Sequence, residues 1–133
     1  MSKYTSTREG FQEALNWSLN GPPEEARLYA EAITVPTFHE VLNGKELSYD
    51  DFVKGLAEWR KTITDYKATL HEFLRDGDQL AAHVTGMMKV GGADMSFEAF
   101  IFAKIDKESG RMASLVERSV SGPVGQEPVH GVN

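Results

Sequence analysis

Hydrophobic residues recur at two different spacings along the chain, and the change between them separates a helical part from a strand-rich part. Up to Ile63 the apolar positions follow the three-to-four-residue spacing of helices that bury one face. From Asp65 onward apolar and polar residues alternate, as in strands with one buried face. This order predicts an α+β fold in which three N-terminal helices pack on a strongly curved antiparallel sheet of four to six strands, with a cavity between them.

Local sequence signals predict where the three helices begin and end. Residues 6–9 (STRE) have the spacing of a capping box at a helix start, and residues 20–23 (NGPP) combine a stop with a proline-led restart. Pro36 predicts that the second helix ends by Val35. Residues 48–51 (SYDD) cap a third helix, whose apolar stripe must cover another surface.

The remaining segments are predicted to be strands joined by tight turns. Asn43-Gly44 is a strong signal for a hairpin, because both residues tolerate positive φ. Four further strands are predicted at 66–75, 79–90, 95–106 and 112–120, joined by short polar or glycine-rich links. We therefore expect one domain over residues 1–121 and a mobile tail over residues 122–133, which is rich in glycine and proline.

Composition excludes several classes of function. The formal charge of −6, with 14 scattered basic residues, argues against a nucleic-acid surface. The absence of cysteine excludes disulfides, zinc–thiolate sites and cysteine nucleophiles, and the 4 histidines lack the spacing of a metal site. No apolar run is long enough to cross a membrane, and no secretory signal is evident at the start. We expect a cytoplasmic protein without metal, cofactor, nucleic-acid or membrane partner.

One acidic residue stands out in the last predicted strand. Alternation puts Leu115, Glu117 and Ser119 on one face, so that a carboxylate lies in line with apolar and small neighbours. In an apolar pocket the pKa of this carboxylate would be raised, which suits proton transfer near neutral pH. The alternative is that Glu117 pairs with a basic residue at a strand end or at a dimer interface.

Several phrases of the sequence together resemble the SnoaL-like branch of the nuclear-transport-factor-two-like superfamily. They are residues 37–40 (TFHE), 70–73 (LHEF), 77–86 (GDQLAAHVTG), and 102–105 (FAKI) followed by 110–112 (GRM). The resemblance spans nearly the whole chain and implies a cone-shaped fold around a small-molecule pocket. Polyketide cyclases, ketosteroid isomerase and limonene-epoxide hydrolase belong to this superfamily, so the fold alone does not decide the chemistry.

The resemblance also implies which side chains face the pocket. It places an acid at Glu117, and it implies that the odd-numbered face of the strand 79–90 looks inward, with His83, Thr85 and Met87. His83 would then form an acid–base pair with Glu117 or orient the ligand. A structural histidine is the other interpretation of His83, and an outward position is favoured for His71.

The first hairpin offers a further choice, because alternation turns either His39 or the pair Phe38 and Glu40 inward. The sequence leaves this choice open. An apolar pocket wall is predicted from the residues Trp59, Tyr66, Phe97, Ile101 and Leu115. Phe100 and Phe102 alternate with these residues and would lie on the outer sheet face, where exposed aromatic rings favour a homodimer.

Departures from the family limit the chemistry. Thr85 and Met87 stand where the epoxide hydrolase has an arginine and an aspartate, and Phe38 stands near the place of its tyrosine. Ile101 replaces the hydrogen-bonding aspartate of ketosteroid isomerase. Neither of these two mechanisms is therefore expected.

The sequence favours a cofactor-independent cyclase, isomerase or dehydratase that acts on a largely apolar small molecule by proton transfer. Glu117 would be the base, and His83 or His39 would be the acid or would orient the substrate. The alternative is a non-catalytic ligand-binding or dimerisation module of the same fold.

Overall fold

In a computed structural model, which describes residues 2–125, helices cover one face of a single sheet. The helical elements are α1 (Lys3–Ser6), α2 (Arg8–Ser18), a 3₁₀ turn (Pro23–Glu25), α3 (Ala26–Ile33) and α4 (Tyr49–Thr62). The strands are β1 (Thr34–Leu42), β2 (Lys45–Leu47), β3 (Ile63–Asp76), β4 (Gln79–Val90), β5 (Ala93–Ile105) and β6 (Met112–Pro123). The α+β order predicted from the periodicity is confirmed.

The helix ends largely follow the local sequence signals. The side chain of Ser48 accepts a hydrogen bond from the Asp51 amide at 3.2 Å, and the Asp51 carboxylate accepts one from the Ser48 amide, so the predicted capping box starts α4. At the start of α2 the capping residue is Thr7, one position later than expected; its hydroxyl accepts from the Gly10 amide at 3.0 Å. The second helix ends at Ile33, within the limit set by Pro36.

The sheet has the strand order β2-β1-β6-β5-β4-β3. Asn43 and Gly44, with φ of 49° and 84°, form the predicted hairpin turn between β1 and β2. Neighbouring strands are antiparallel except β1 and β6, which run parallel, so the sheet is mixed where alternation alone predicted antiparallel strands. Register shifts within the β1–β6, β3–β4 and β5–β6 pairs mark the irregular positions at which a sheet bends.

The inner face of the sheet forms the hydrophobic core with the helices. On β4 the even-numbered residues Leu80, Ala82 and Val84 are buried against this core, whereas Gln79 and Met87 are exposed. The expectation that the odd-numbered face of β4 looks inward is therefore wrong. The physical reason is simple, since the apolar set of an alternating strand is the set that gains by leaving water.

Residues at the C-terminal end of β6 extend the domain beyond its expected limit. Gly122 pairs with Ser96 and Pro123 with Met95, so both belong to the sheet and not to the tail predicted from residue 122. Residues 126–133 of that tail lie outside the described residues.

Candidate functional site

A cavity of about 300 Å³ lies between the inner face of the sheet and helices α2, α3 and α4. Its wall is mostly apolar and carries a few polar side chains, in the manner of small-molecule pockets. The polar residues on the wall are Ser18, Tyr29, Glu40, Asp51, Tyr66, Glu117, Ser119 and Ser121. No lysine, arginine or histidine of residues 2–125 lines this cavity.

Strand β6 supplies Glu117 to the cavity. Leu115, Glu117, Ser119 and Ser121 alternate along the strand, and all four line the wall. The sequence placed Glu117 among inward-facing residues for this reason. The partly buried side chain of Glu117 therefore lies in the mostly apolar cavity, as the family resemblance implied.

Strand β1 supplies a second carboxylate, Glu40. Phe38 and Glu40 are buried, with 2% and 5% of their surfaces exposed, whereas His39 is exposed. This resolves the choice that the sequence left open in the first hairpin. Glu40 lines the cavity, while Phe38 lies in the core against Phe52, with ring centroids 4.8 Å apart, and is absent from the cavity wall.

Strand register brings the two carboxylates together on the wall of the cavity. Glu40 lies opposite Leu115 and Leu42 lies opposite Glu117, because β1 and β6 are adjacent and parallel. Side chains two residues apart on adjacent strands point to the same side of the sheet. The parallel pairing therefore puts Glu40 and Glu117 on one face, in diagonal positions.

Burial raises the pKa of both carboxyl groups. Loss of hydration raises the pKa of Glu117 to about 7. Loss of hydration and then the negative charge of Glu117 raise the pKa of Glu40 to about 8. Both groups therefore hold protons near neutral pH that an ordinary glutamate has lost, and the two titrate as a coupled unit.

Two tyrosines complete the polar side of the cavity. Burial is the main cause that raises the pKa of the Tyr29 phenol, and the nearby acidic groups Tyr66, Glu117 and Glu40 raise it further. Burial likewise raises the pKa of Tyr66 to about 12. Both phenols keep their protons at physiological pH and remain hydrogen-bond donors. Tyr29 was not predicted as a wall residue, because its helical spacing indicates only that it belongs to an apolar face.

The predicted aromatic and aliphatic wall residues lie around the same cavity. Tyr66 and Phe97 stack with their ring planes 3° apart and their centroids 5.8 Å apart. Ile101 and Leu115 are buried on β5 and β6, and Trp59 is 47% exposed while still lining the cavity. The structure thus brings Trp59, Tyr66, Phe97, Ile101 and Leu115 together with Glu117.

Three other predicted site residues lie on the opposite face of the sheet. His83, Thr85 and Met87 belong to the odd-numbered side of β4, outside the cavity, so their expected pocket positions are corrected. His83 Nε2 is 2.7 Å from a Glu98 carboxylate oxygen, and its ring stacks on Phe100 with centroids 4.7 Å apart. An acid–base pair of His83 with Glu117 is excluded by the sheet that separates them.

His71 joins His83 on this outer face, which agrees with the outward position favoured for it. Its Nε2 lies 2.6 Å from the Thr85 hydroxyl, and the two imidazole rings are 5.1 Å apart. Within residues 2–125, no group of three or more histidine, aspartate or glutamate side chains has the arrangement of a metal site. None of the described helices is long and apolar enough to span a membrane.

A buried arginine anchors the helical side of the cavity. The Arg60 guanidinium donates hydrogen bonds to the carbonyl oxygens of Trp17, Ser18 and Pro22, at 2.8 to 3.1 Å. The Trp17 and Ser18 carbonyls belong to the last turn of α2, where helices leave backbone acceptors without intrahelical partners, and Pro22 lies in the segment that follows. Arg60 thereby fixes the end of α2 against α4, and both helices contribute residues to the cavity wall.

A second hollow, of about 470 Å³, is lined by residues of α3, β1 and the start of α4, and neither Glu40 nor Glu117 belongs to its wall. It is shallow and more polar, and two of its residues are Arg27 and Arg111. Arg111 donates to the carbonyl oxygens of Glu31 and Thr34, and Arg27 lies 3.6 Å from Asp50. Because these cations already have partners, the mostly apolar cavity with Glu40 and Glu117 is the stronger candidate site.

Comparison with known proteins identifies the fold. No family model matches the sequence, and no curated protein is significantly similar to it. Solved structures match it at high coverage. BvnE pinacolase from Penicillium brevicompactum has a TM-score of 0.70 and 7% identity, over 88% of this chain and 82% of the other.

Two bacterial structures extend the comparison. IdmH from Streptomyces antibioticus, a candidate polyketide cyclase, has a TM-score of 0.63 and 14% identity, over 84% of this chain and 87% of the other. A Catenulispora acidiphila protein with a ketosteroid isomerase-like fold, solved with trimethylamine, has a TM-score of 0.64 and 12% identity, over 85% of each chain. At such identities the matches show a ketosteroid isomerase-like fold and leave the chemistry to the site.

Proposed function

We propose that this protein is a SnoaL-like, cofactor-independent enzyme that rearranges a largely apolar small molecule by proton transfer, as a cyclase, isomerase or dehydratase. The observation that carries the proposal is the pair of carboxylates in an otherwise mostly apolar cavity. Polar groups are rarely left in such surroundings without a use, because their burial lowers stability. The candidate polyketide cyclase among the neighbours supports the class through its fold alone.

In the proposed mechanism Glu117 is the base and Glu40 is the acid. Burial raises the pKa of both groups, and the negative charge of Glu117 raises that of Glu40 further, so a state with Glu117 ionised and Glu40 protonated can exist near neutral pH. Glu117 accepts a proton from a C–H or O–H group of the substrate, and Glu40 donates its proton to a carbon or oxygen elsewhere on the same molecule. His83 and His39, the acids considered from the sequence, are replaced by Glu40 in this role.

The proton balance closes within the site. An isomerisation or cyclisation leaves Glu117 protonated and Glu40 ionised, and one proton returning from Glu117 to Glu40, directly or through water, restores the starting state. A dehydration follows the same steps, with the proton from Glu40 leaving in the water molecule. Tyr29 and Tyr66 line the same cavity, and in this mechanism their phenols donate hydrogen bonds to a substrate oxygen on which negative charge develops.

Deuterium exchange into an apolar ketone tests the proposed proton transfer. 2-Tetralone is such a ketone with acidic C–H groups, and its uptake of deuterium from D₂O can be followed by proton NMR. We expect the protein to accelerate exchange at pH 7.5 by about 10²-fold or more, the usual contribution of a positioned base. Glu117→Gln should return the rate to the protein-free value, and Glu40→Gln should change its pH profile.

Glu98→Gln is the matched control, because Glu98 lies on the outer face beside His83. This variant should exchange 2-tetralone as fast as the wild type. Equal rates in the wild type and Glu117→Gln, including no acceleration in either, contradict the assignment of Glu117 as the base.

The alternative of a non-catalytic dimerisation module draws on a different observation. Phe100 and Phe102 are 49% and 65% exposed on the outer face of the sheet. We propose that this face pairs with a second copy, an arrangement that is compatible with catalysis because the cavity opens on the other side of the sheet. A protein that dimerises but leaves the deuterium exchange of 2-tetralone at its protein-free rate would favour the module over the enzyme.

A further inference from the structure

Both carboxylates in the cavity are without a compensating charge. Glu40 is 95% buried, since only 5% of its surface is exposed. Neither the Glu40 nor the Glu117 side chain forms a salt bridge or a hydrogen bond with another group of residues 2–125. Burial is the largest cause of the raised pKa of each carboxyl group. A buried, ionised carboxylate is costly until something positive or hydrogen-bond-donating meets it. The cavity therefore has a place for a cationic group that the described chain does not fill.

The rest of the wall suits the same kind of group. Tyr66 and Phe97 form a stacked pair, and Tyr29 and Trp59 add two more aromatic rings to the wall. The faces of such rings attract cations, and their apolar surface binds hydrocarbon. A small molecule with a cationic end and an apolar body matches both parts of the wall.

We propose that the cavity takes a ligand with a positively charged nitrogen on an apolar body, the nitrogen lying beside Glu40 and Glu117 and the body against Tyr66 and Phe97. This inference rests on the proposed function, because it concerns the same cavity and names the class of substrate. A non-catalytic binding protein could take the same class of ligand.

Binding of such a cation is coupled to proton release. A cation favours the ionised form of Glu117, the proposed base, so its binding expels the proton that this group partly holds near neutral pH, while Glu40 can keep the proton that the proposed mechanism uses. The affinity for the cation therefore rises with pH. The other titratable groups on the cavity wall are Tyr29 from α3, Tyr66 from β3 and Asp51 from α4, whose carboxylate accepts from the Ser48 amide. Arg60 of α4 acts on Tyr29 from outside the cavity wall.

Two probes of equal shape and different charge test the inference. Benzyltrimethylammonium carries a permanent positive charge, and neopentylbenzene has the same outline without it. Isothermal titration calorimetry of the intact protein at pH 6 and pH 9, in buffers of different ionisation enthalpy, gives affinity and proton release together. At pH 9 we expect the cation to bind at least about tenfold more tightly than the hydrocarbon, the factor that corresponds to one pKa unit.

The affinity for the cation should fall by a similar factor between pH 9 and pH 6, and its binding at pH 7 should release protons. The variant with both Glu40→Gln and Glu117→Gln should lose most of the preference for the cation, while Glu98→Gln should keep it. Circular dichroism verifies that these variants are folded. If a variant is unfolded, the pH dependence and proton release of the wild type still decide.

Equal affinity for the two probes at pH 9, a preference that survives in the double variant, or no binding of either probe would overturn the inference. Its failure is distinct from failure of the proposed function, which is measured on the uncharged 2-tetralone. Exchange without cation preference removes only the substrate class. Cation preference without exchange removes only the proton transfer.

Discussion

Glu40 and Glu117 reach the cavity by the same rule, because each alternates with a buried apolar neighbour on its strand. For Glu117 this neighbour is Leu115, and the pattern is sufficient to predict an inward position. For Glu40 the pattern allows two answers, and the burial of Phe38 decides between them. His83 shows the converse, since the family resemblance implies an inward position that the apolar alternation of its own strand contradicts.

The raised pKa values of the two carboxyl groups predict a fall in stability at alkaline pH. In the unfolded chain both groups ionise near 4.5, whereas in the folded chain their pKa values are about 7 and 8. Between these limits the folded chain holds protons that the unfolded chain has lost, so the free energy of unfolding decreases as pH rises and levels off above pH 8. Urea denaturation at pH 6 and pH 9 measures this decrease.

Glu40→Gln isolates the contribution of one carboxylate to this decrease. Glutamine keeps the shape without the charge, so the variant should unfold with a smaller pH dependence and gain about 1–3 kcal/mol over the wild type at pH 9. Glu98→Gln on the outer face should leave the pH dependence unchanged. A wild type whose stability is constant or increases from pH 6 to pH 9 would contradict the assigned protonation states.

At the level of elements, strands β4 and β5 hold the aromatic wall through one glycine. Gly86 pairs with Phe97 across the two strands, and a Cβ atom at Gly86 would overlap the Phe97 ring and lie 2.9 Å from the Lys67 carbonyl oxygen. The ring therefore occupies the space that a side chain at position 86 would need. Alternation along β5 is enough to predict Phe97 as a wall residue. The need for glycine at position 86 cannot be predicted in this way, because it depends on which residue of β4 lies opposite Phe97.

Gly86→Ala is expected to displace the Phe97 ring and to lower the free energy of unfolding by about 1–3 kcal/mol, as overpacking of a core does. The affinity for benzyltrimethylammonium should fall with it. Gly55→Ala is the control for stability, because a Cβ at Gly55 in α4 meets nothing within 4 Å and alanine favours a helix. Chemical denaturation of both variants compares them. A stable Gly86→Ala protein with unchanged binding would show that the ring can shift freely.

The sequence predicts the order of helices and strands along the chain better than it predicts how the strands pair in the sheet. The helix and strand segments followed from periodicity, and the Asn43-Gly44 turn and the Ser48 cap followed from residues with few conformational alternatives. The parallel pairing of β1 and β6 did not follow, because alternation records which face is buried and carries no information about the neighbouring strand. The pairing of Glu40 with Glu117 depends on that neighbour.

At the scale of the whole molecule, the outer sheet face is the surface that lacks a cover in the described chain. Phe100 and Phe102 are exposed there, and Met87 and Val116 are 54% and 46% exposed. Exposed apolar side chains on a sheet face are typical of an interface. This surface supports the proposed homodimer.

Phe102→Glu tests the dimer. We expect sedimentation velocity to show a dimer for the wild type at micromolar concentration and a monomer for this variant, because pairing of two copies through this face would bury a negative charge from each copy. Leu28→Glu is the matched control, since Leu28 is 58% exposed but lies on α3. A wild type that remains monomeric at all concentrations, or a Leu28→Glu variant that dissociates equally, would contradict the proposed interface.

The position of β6 has a consequence for biosynthesis. β6 is the last described strand to leave the ribosome, yet it lies in the middle of the sheet, between β1 and β5. Until it emerges, the nascent chain has two separate half-sheets with facing open edges, which are prone to associate with other chains. The sheet is completed and the carboxylate pair is assembled in the same step, when β6 inserts. A ribosome that stalls before residue 112 therefore leaves a product that contains Glu40 without Glu117 and that needs chaperones.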